Sequence, residues 1–134
     1  MDESLLEIRQ YDGEGYRPLI DFGAWRVAIL RWEPSMQPER ISVMERHTET
    51  DEVFVLLSGR ATLILGGNST SVNGIETQEL EECHFYNVKQ NAWHTIRLSR
   101  DASILIVEEN NTGDANTEYC ELSAEDRKEI MRLK

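Results

Sequence analysis

Glu45 and His47 stand two residues apart in Ile41–His47, a stretch whose side chains alternate in polarity. Read as a strand, it puts Ile41, Val43, Glu45 and His47 on one face and Ser42, Met44 and Arg46 on the other. Side chains two residues apart on a strand are separated by about 6.6–7 Å along it, so both polar groups point into whatever that face covers. A carboxylate buried there needs a partner, because an unpaired buried charge is very costly. A metal ion is one such partner, and an arginine such as Arg26 or Arg97 is another. Glu52 follows after the short polar connection Thr48–Asp51. A hairpin through that connection returns Glu52 beside His47, on the face of Phe54 and Leu56. His94 repeats the pattern, sharing an apolar face with Ile96 and Leu98. Two of the three histidines therefore sit on predicted inward faces.

Strands must position these groups, and the sequence offers several. Trp25–Trp32 is apolar and stops before Pro34, Glu52–Ser58 ends at Gly59, and Arg60–Leu65 follows it. Residues 75–80 and 83–88 are weaker candidates, Trp93–Leu98 alternates, and Ser103–Glu108 is a short apolar run. Residues 1–24, punctuated by Gly13, Gly15, Pro18 and Gly23, read as an irregular N-terminal arm with short extended pieces. In the tail, 109–134, Ser123 and Asp126 resemble a capping box ahead of good helix formers over 124–133. Many short strands with turn signals between them, and one terminal helix, predict an all-β sandwich or barrel. The barrel would span 25–108 of a single domain covering 1–134.

Composition narrows the function. A chain of 134 residues with 40% hydrophobic content builds one core and has no room for two full-sized domains. Its 14 Lys and Arg against 25 Asp and Glu leave a net charge of −11. That balance argues against nucleic-acid or anionic-membrane partners, which need a basic footprint. No apolar run approaches a membrane span. The opening MDESLLEIRQ lacks the basic and apolar regions of a signal peptide. Cys83 and Cys120 are too few for a disulfide scaffold, so a cytoplasmic protein with reduced thiols is expected.

Residues 45–59, ERHTETDEVFVLLSG, resemble the first motif of the cupin superfamily: His-x-His, three or four residues, Glu, six residues, Gly. His47 matches its second His, Glu52 its Glu and Gly59 its Gly, while Glu45 replaces the first His. The second motif runs Gly, five residues, Pro-x-Gly, two residues, His, three residues, Asn. His94 fits its His. Cys83, Lys89, Asn91 and Leu98 stand where Gly, Pro, Gly and Asn are usual, which predicts a differently built loop before the last motif strand.

The resemblance implies a cupin-type double-stranded β-helix (a jelly-roll barrel) with a short C-terminal helix here. It also implies a divalent metal held by Glu45, His47, Glu52 and His94. Two imidazoles and two carboxylates stand in place of the usual three His and one Glu. Extra oxygen donors shift preference from zinc towards manganese, iron, nickel or magnesium without selecting one. The reaction expected is metal-assisted proton transfer on a small polar metabolite such as a sugar or hydroxy acid: isomerisation, epimerisation or lyase chemistry. A non-catalytic small-molecule-binding or sensing cupin is the alternative, and an iron-dependent dioxygenase a further one. Glu45 and Tyr86 are the acid/base candidates. Tyr86 shares parity with His84, and either faces a ligand or anchors the barrel wall. His84 is expected at the surface, and Trp93, opposite in parity to His94, in packing or an interface. No inward Arg or Lys cluster is legible, so phosphorylated substrates are not expected. A homodimer through residues 1–32 and edge strands is expected.

Overall fold

A computed structural model describes residues 1–133. Strands β1 (Gly15–Phe22), β2 (Trp25–Arg31), β9 (Ser103–Glu109), β4 (Glu52–Ser58) and β7 (Tyr86–Val88) form one sheet, in the spatial order β1-β2-β9-β4-β7. The second has the order β10-β3-β8-β5-β6, from β3 (Val43–His47), β5 (Ala61–Leu65), β6 (Glu76–Glu79), β8 (His94–Leu98) and β10 (Thr117–Glu121). The strand pairs are antiparallel.

Two expectations change. The arm 1–24 is not irregular throughout: its second half is strand β1, paired with β2 on both sides of a register shift between Pro18 and Ile20. The tail is not only helical, because Thr117–Glu121 adds β10 against β3. The barrel therefore spans 15–121 rather than 25–108.

Burial explains the layering. Phe54, Leu56, Leu63, Ile96, Ile104 and Ile106 project between the sheets and form the inner core. Met44, Ile64, Trp93, Leu122 and Ile130 form a second cluster on the far side of β3 and β5, covered by helix α1 (Ala124–Arg132). The Ser123 hydroxyl accepts from the Asp126 N–H at 3.1 Å, the N-cap that the sequence indicated. Arg97 donates to the Ile130 carbonyl at 3.0 Å and to that of Leu133, satisfying carbonyls left open at the helix end. Ile41 departs from its expected face: it precedes β3, after a 3₁₀ turn at Pro38–Arg40, and packs with Met44 in the second cluster.

Candidate metal centre

Glu45 and His47 leave β3 on its inward face, and His94 opens β8 directly opposite Glu45. Glu52 opens β4, in the other sheet, immediately after the hairpin connection. One donor atom from each of the four lies within 4.8 Å of the others. Glu52 Oε1 is 3.1 Å from His47 Nε2 and 3.0 Å from His94 Nε2. Glu45 Oε1 stands farther off, 3.7 Å from His47 Nε2 and 3.9 Å from His94 Nε2. Glu52, His47 and His94 are buried, whereas the Glu45 side chain is 41% exposed.

The outer ring atoms are tied down. His94 Nδ1 donates to the Ala92 carbonyl at 2.9 Å, which fixes the proton there and turns Nε2 towards the carboxylates. His47 Nδ1 lies 3.0 Å from the Thr117 hydroxyl, whose residue is its register partner on β10. The donor set fits a divalent cation: two imidazoles with Nε2 facing inward, and two carboxylates to balance the charge.

Charge within the cluster shows the same design. Burial alone pushes the Glu52 carboxyl up, but hydrogen bonds and charge from His47 and His94 overcome it and hold the group well below the usual carboxylate range. Burial likewise opposes charge on His47 and His94, yet Glu52 raises both above the ordinary imidazole value. A metal ion at this point would replace those protons as the partner of Glu52.

The segment leading into β8 carries left-handed backbone on residues other than glycine. Cys83 (φ 64°) and Asn91 (φ 68°), the residues standing where cupin glycines are usual, are the non-glycine positions with left-handed backbone among the described residues. Gly59 has φ 78°, and a Cβ there would lie 2.6 Å from Ala102 Cα.

A cavity of about 500 Å³ opens beside the cluster. On the sheet that carries Glu52, the cavity wall holds three more polar groups, Tyr16, Arg26 and Glu108, from β1, β2 and β9. Arg26 and Glu108 are register partners, and the guanidinium donates to Glu108 Oε1 at 2.8 Å. The Tyr16 hydroxyl donates to the same oxygen at 2.6 Å. Burial, then the Glu52 charge, raise the Glu108 carboxyl against the lowering pull of Tyr16 and Arg26. These three are absent from the sequence-derived site. Glu108 carried the same signal as Glu45, a carboxylate in phase with the buried Ile104 and Ile106. Tyr16 lies in the segment read as irregular.

Tyr86 is not brought to the cavity. Its hydroxyl accepts from the Glu81 N–H at 3.0 Å, and its ring stacks on His84, which is exposed. Neither arginine considered for Glu45 pairs with it: Arg26 holds Glu108 and Arg97 holds the helix end. Trp93 packs in the second cluster, its indole N–H donating to the Ser69 carbonyl at 2.9 Å.

No protein-family model matches the sequence, and no curated protein matches it. Solved structures do match. Among them is a variant of Streptomyces PAC13 with uridine, 10% identical over 87% of each chain, with a TM-score of 0.58. Pac13 is described as a unique nucleoside dehydratase. A cupin-2 domain protein from Shewanella frigidimarina is 16% identical over 75% of this chain and 85% of its own, with a TM-score of 0.53. KdgF from Halomonas is 13% identical over 75% and 81%, also at 0.53. This chain has the cupin fold, as its two motif segments anticipated. Among the described residues, no helix is long and apolar enough to cross a membrane.

Proposed function

We propose that the chain is a metal-binding cupin enzyme that moves a proton on a small hydroxylated metabolite, by isomerase, epimerase or lyase chemistry. The observation carrying this reading is the convergence of Glu45, His47, Glu52 and His94 at the wall of a cavity of about 500 Å³. His47, Glu52 and His94 would hold a divalent cation, with Glu45 beside it and free of the ion. When bound, such an ion supplies Lewis acidity that polarises a substrate oxygen and eases loss of a neighbouring proton.

The chain's own residues divide the remaining work. Glu52 is fixed by both imidazoles, so it is a poor candidate for proton exchange. Glu45 is more exposed and more loosely held, which suits the carboxylate that takes up and returns a proton. Leu30, Phe54 and Ile106 supply an apolar wall that limits water around the reacting carbon. The likeness to a nucleoside dehydratase is compatible with lyase chemistry on a hydroxylated compound.

Metal analysis of protein purified without chelator tests the reading. The expected content is about one divalent ion per chain, lost in His94→Ala and Glu52→Ala. Glu45→Gln should keep most of the metal and lose turnover. Metal-free protein with intact His94 would overturn the proposal. Ligand binding without turnover across sugar and hydroxy-acid panels would make the protein a sensor instead. Oxygen uptake with bound iron would make it an oxygenase.

A further inference from the structure

We infer that Tyr119 orients the substrate: its hydroxyl, aimed by Asp114, accepts a hydrogen bond from one hydroxyl group of a neutral ligand and holds the adjoining carbon beside Glu45. The proton-transfer role of Glu45 rests on the reading proposed above, whereas binding through Tyr119 stands on the geometry of the cavity wall.

Strand β10 lies against β3 with Thr117 opposite His47 and Tyr119 opposite Glu45. Side chains two residues apart on a strand share a face, so Tyr119 follows Thr117 on the side that meets the cluster. The Thr117 hydroxyl marks that side, 3.0 Å from His47 Nδ1. Directly opposite residues of an antiparallel pair have Cβ atoms about 4.5–5.5 Å apart, so the Tyr119 and Glu45 side chains leave the wall as neighbours. Both residues line the cavity, and both are open to solvent: Tyr119 is 56% exposed and the Glu45 side chain 41%. A ligand entering the cavity meets these two before the buried His47, Glu52 and His94.

The hydroxyl of Tyr119 is held in one direction. It donates to Asp114 Oδ1 at 3.0 Å, and Asp114 lines the cavity as well. Asp114 opens a 3₁₀ turn, Asp114–Asn116, that is pinned from within. The Gly113 N–H donates to Asn116 Oδ1 at 2.9 Å, and the Asn116 amide donates to the Asn111 carbonyl at 3.1 Å. With its one proton committed to Asp114, the Tyr119 oxygen keeps lone pairs that accept from a ligand. An alcohol group supplies the matching proton and carries a C–H next to it for Glu45 to act on. Charge on the wall weighs against anions. Glu33, Glu45 and Asp114 contribute carboxylates, and Arg26, the only arginine or lysine among the described lining residues, commits Nη2 to Glu108. The ligand class is a neutral polyhydroxylated compound.

Calorimetric titration of the full chain tests this with defined probes. Mn²⁺ is titrated first into wild type and into Tyr119→Phe, which reads the metal cluster on its own. Xylitol, D-ribose and D-glucose follow, each with and without Mn²⁺, and then the monodeoxy analogues of whichever binds best. Binding of at least one of the three is expected, weakened about 3- to 10-fold in Tyr119→Phe while Mn²⁺ affinity is kept. The monodeoxy analogue lacking the held hydroxyl should bind wild type and Tyr119→Phe equally, a pattern that general damage to the cavity would not produce. Asp114→Ala frees the Tyr119 hydroxyl to turn and should weaken the same probe, with circular dichroism checking that both variants fold. Failure of all three probes, equal binding of them by wild type and Tyr119→Phe, or unchanged binding in Asp114→Ala would each overturn the inference. So would a loss in Tyr119→Phe shared equally by every deoxy analogue. Absence of Mn²⁺ binding in wild type counts against the metal cluster alone, and the metal-free titrations then decide on Tyr119.

Discussion

Cys83 and Asn91 show a local conformation held without glycine. Both adopt left-handed backbone, which disfavours side chains bearing a Cβ. Asn tolerates this region well, whereas Cys does so rarely. Cys83→Gly should therefore raise stability by up to about 1 kcal/mol, the relief of strain being partly offset by the added freedom of the unfolded chain. Urea denaturation measures it, and a clear loss of stability would count against strain at this position. The candidate cluster was legible as a grouping, because Glu45, His47 and His94 are polar intrusions into apolar alternation. Glu108 carries the same mark at the end of its strand, where the alternation has few preceding positions to establish it.

Strands β1 and β10 were the elements the sequence concealed, and the reasons are physical. β1 carries Pro18 and a register shift between Pro18 and Ile20, features tolerated on an edge strand and misread as a break. β10, TEYCE, is an edge strand with little burial, so it has no apolar alternation to reveal it. Each brings a polar group to the cavity or its ligands, Tyr16 from β1 and Thr117 from β10. Thr117→Val keeps the shape of β10 and removes the oxygen beside His47 Nδ1. Metal affinity should fall about 10- to 100-fold with the fold intact, the usual cost of releasing a ligand's outer contact. Competition with a fluorescent chelator measures this, and unchanged affinity would remove Thr117 from the centre. Strands β2, β4, β8 and β9 and helix α1 were readable because each shows an apolar run or a clear period.

The metal-free molecule should have a stability that varies with pH in a definite sense. His47 and His94 bind a proton more tightly when folded, so their contribution is complete below the ordinary imidazole value of 6.5 and fades as pH climbs through their raised values. Glu52 acts in the opposite sense: its contribution is complete above the ordinary value of 4.5 and fades as pH falls through its lowered one. Thermal melts of chelator-treated protein should thus peak between those two values and decline above them. Added metal competes with the histidine protons, so its stabilising effect should grow with pH over the same range in which the bare protein weakens. A flat profile for the bare protein would contradict the ion-pair network. Glu52 belongs to one sheet and His47 and His94 to the other, so a cation gripped by all three would work as a rivet through both walls of the barrel. Breathing of one wall against the other would then be governed by ion occupancy. Amide exchange along β3, β4 and β8 should quicken together on chelation, while α1, anchored on the outside of a single wall, keeps its protection.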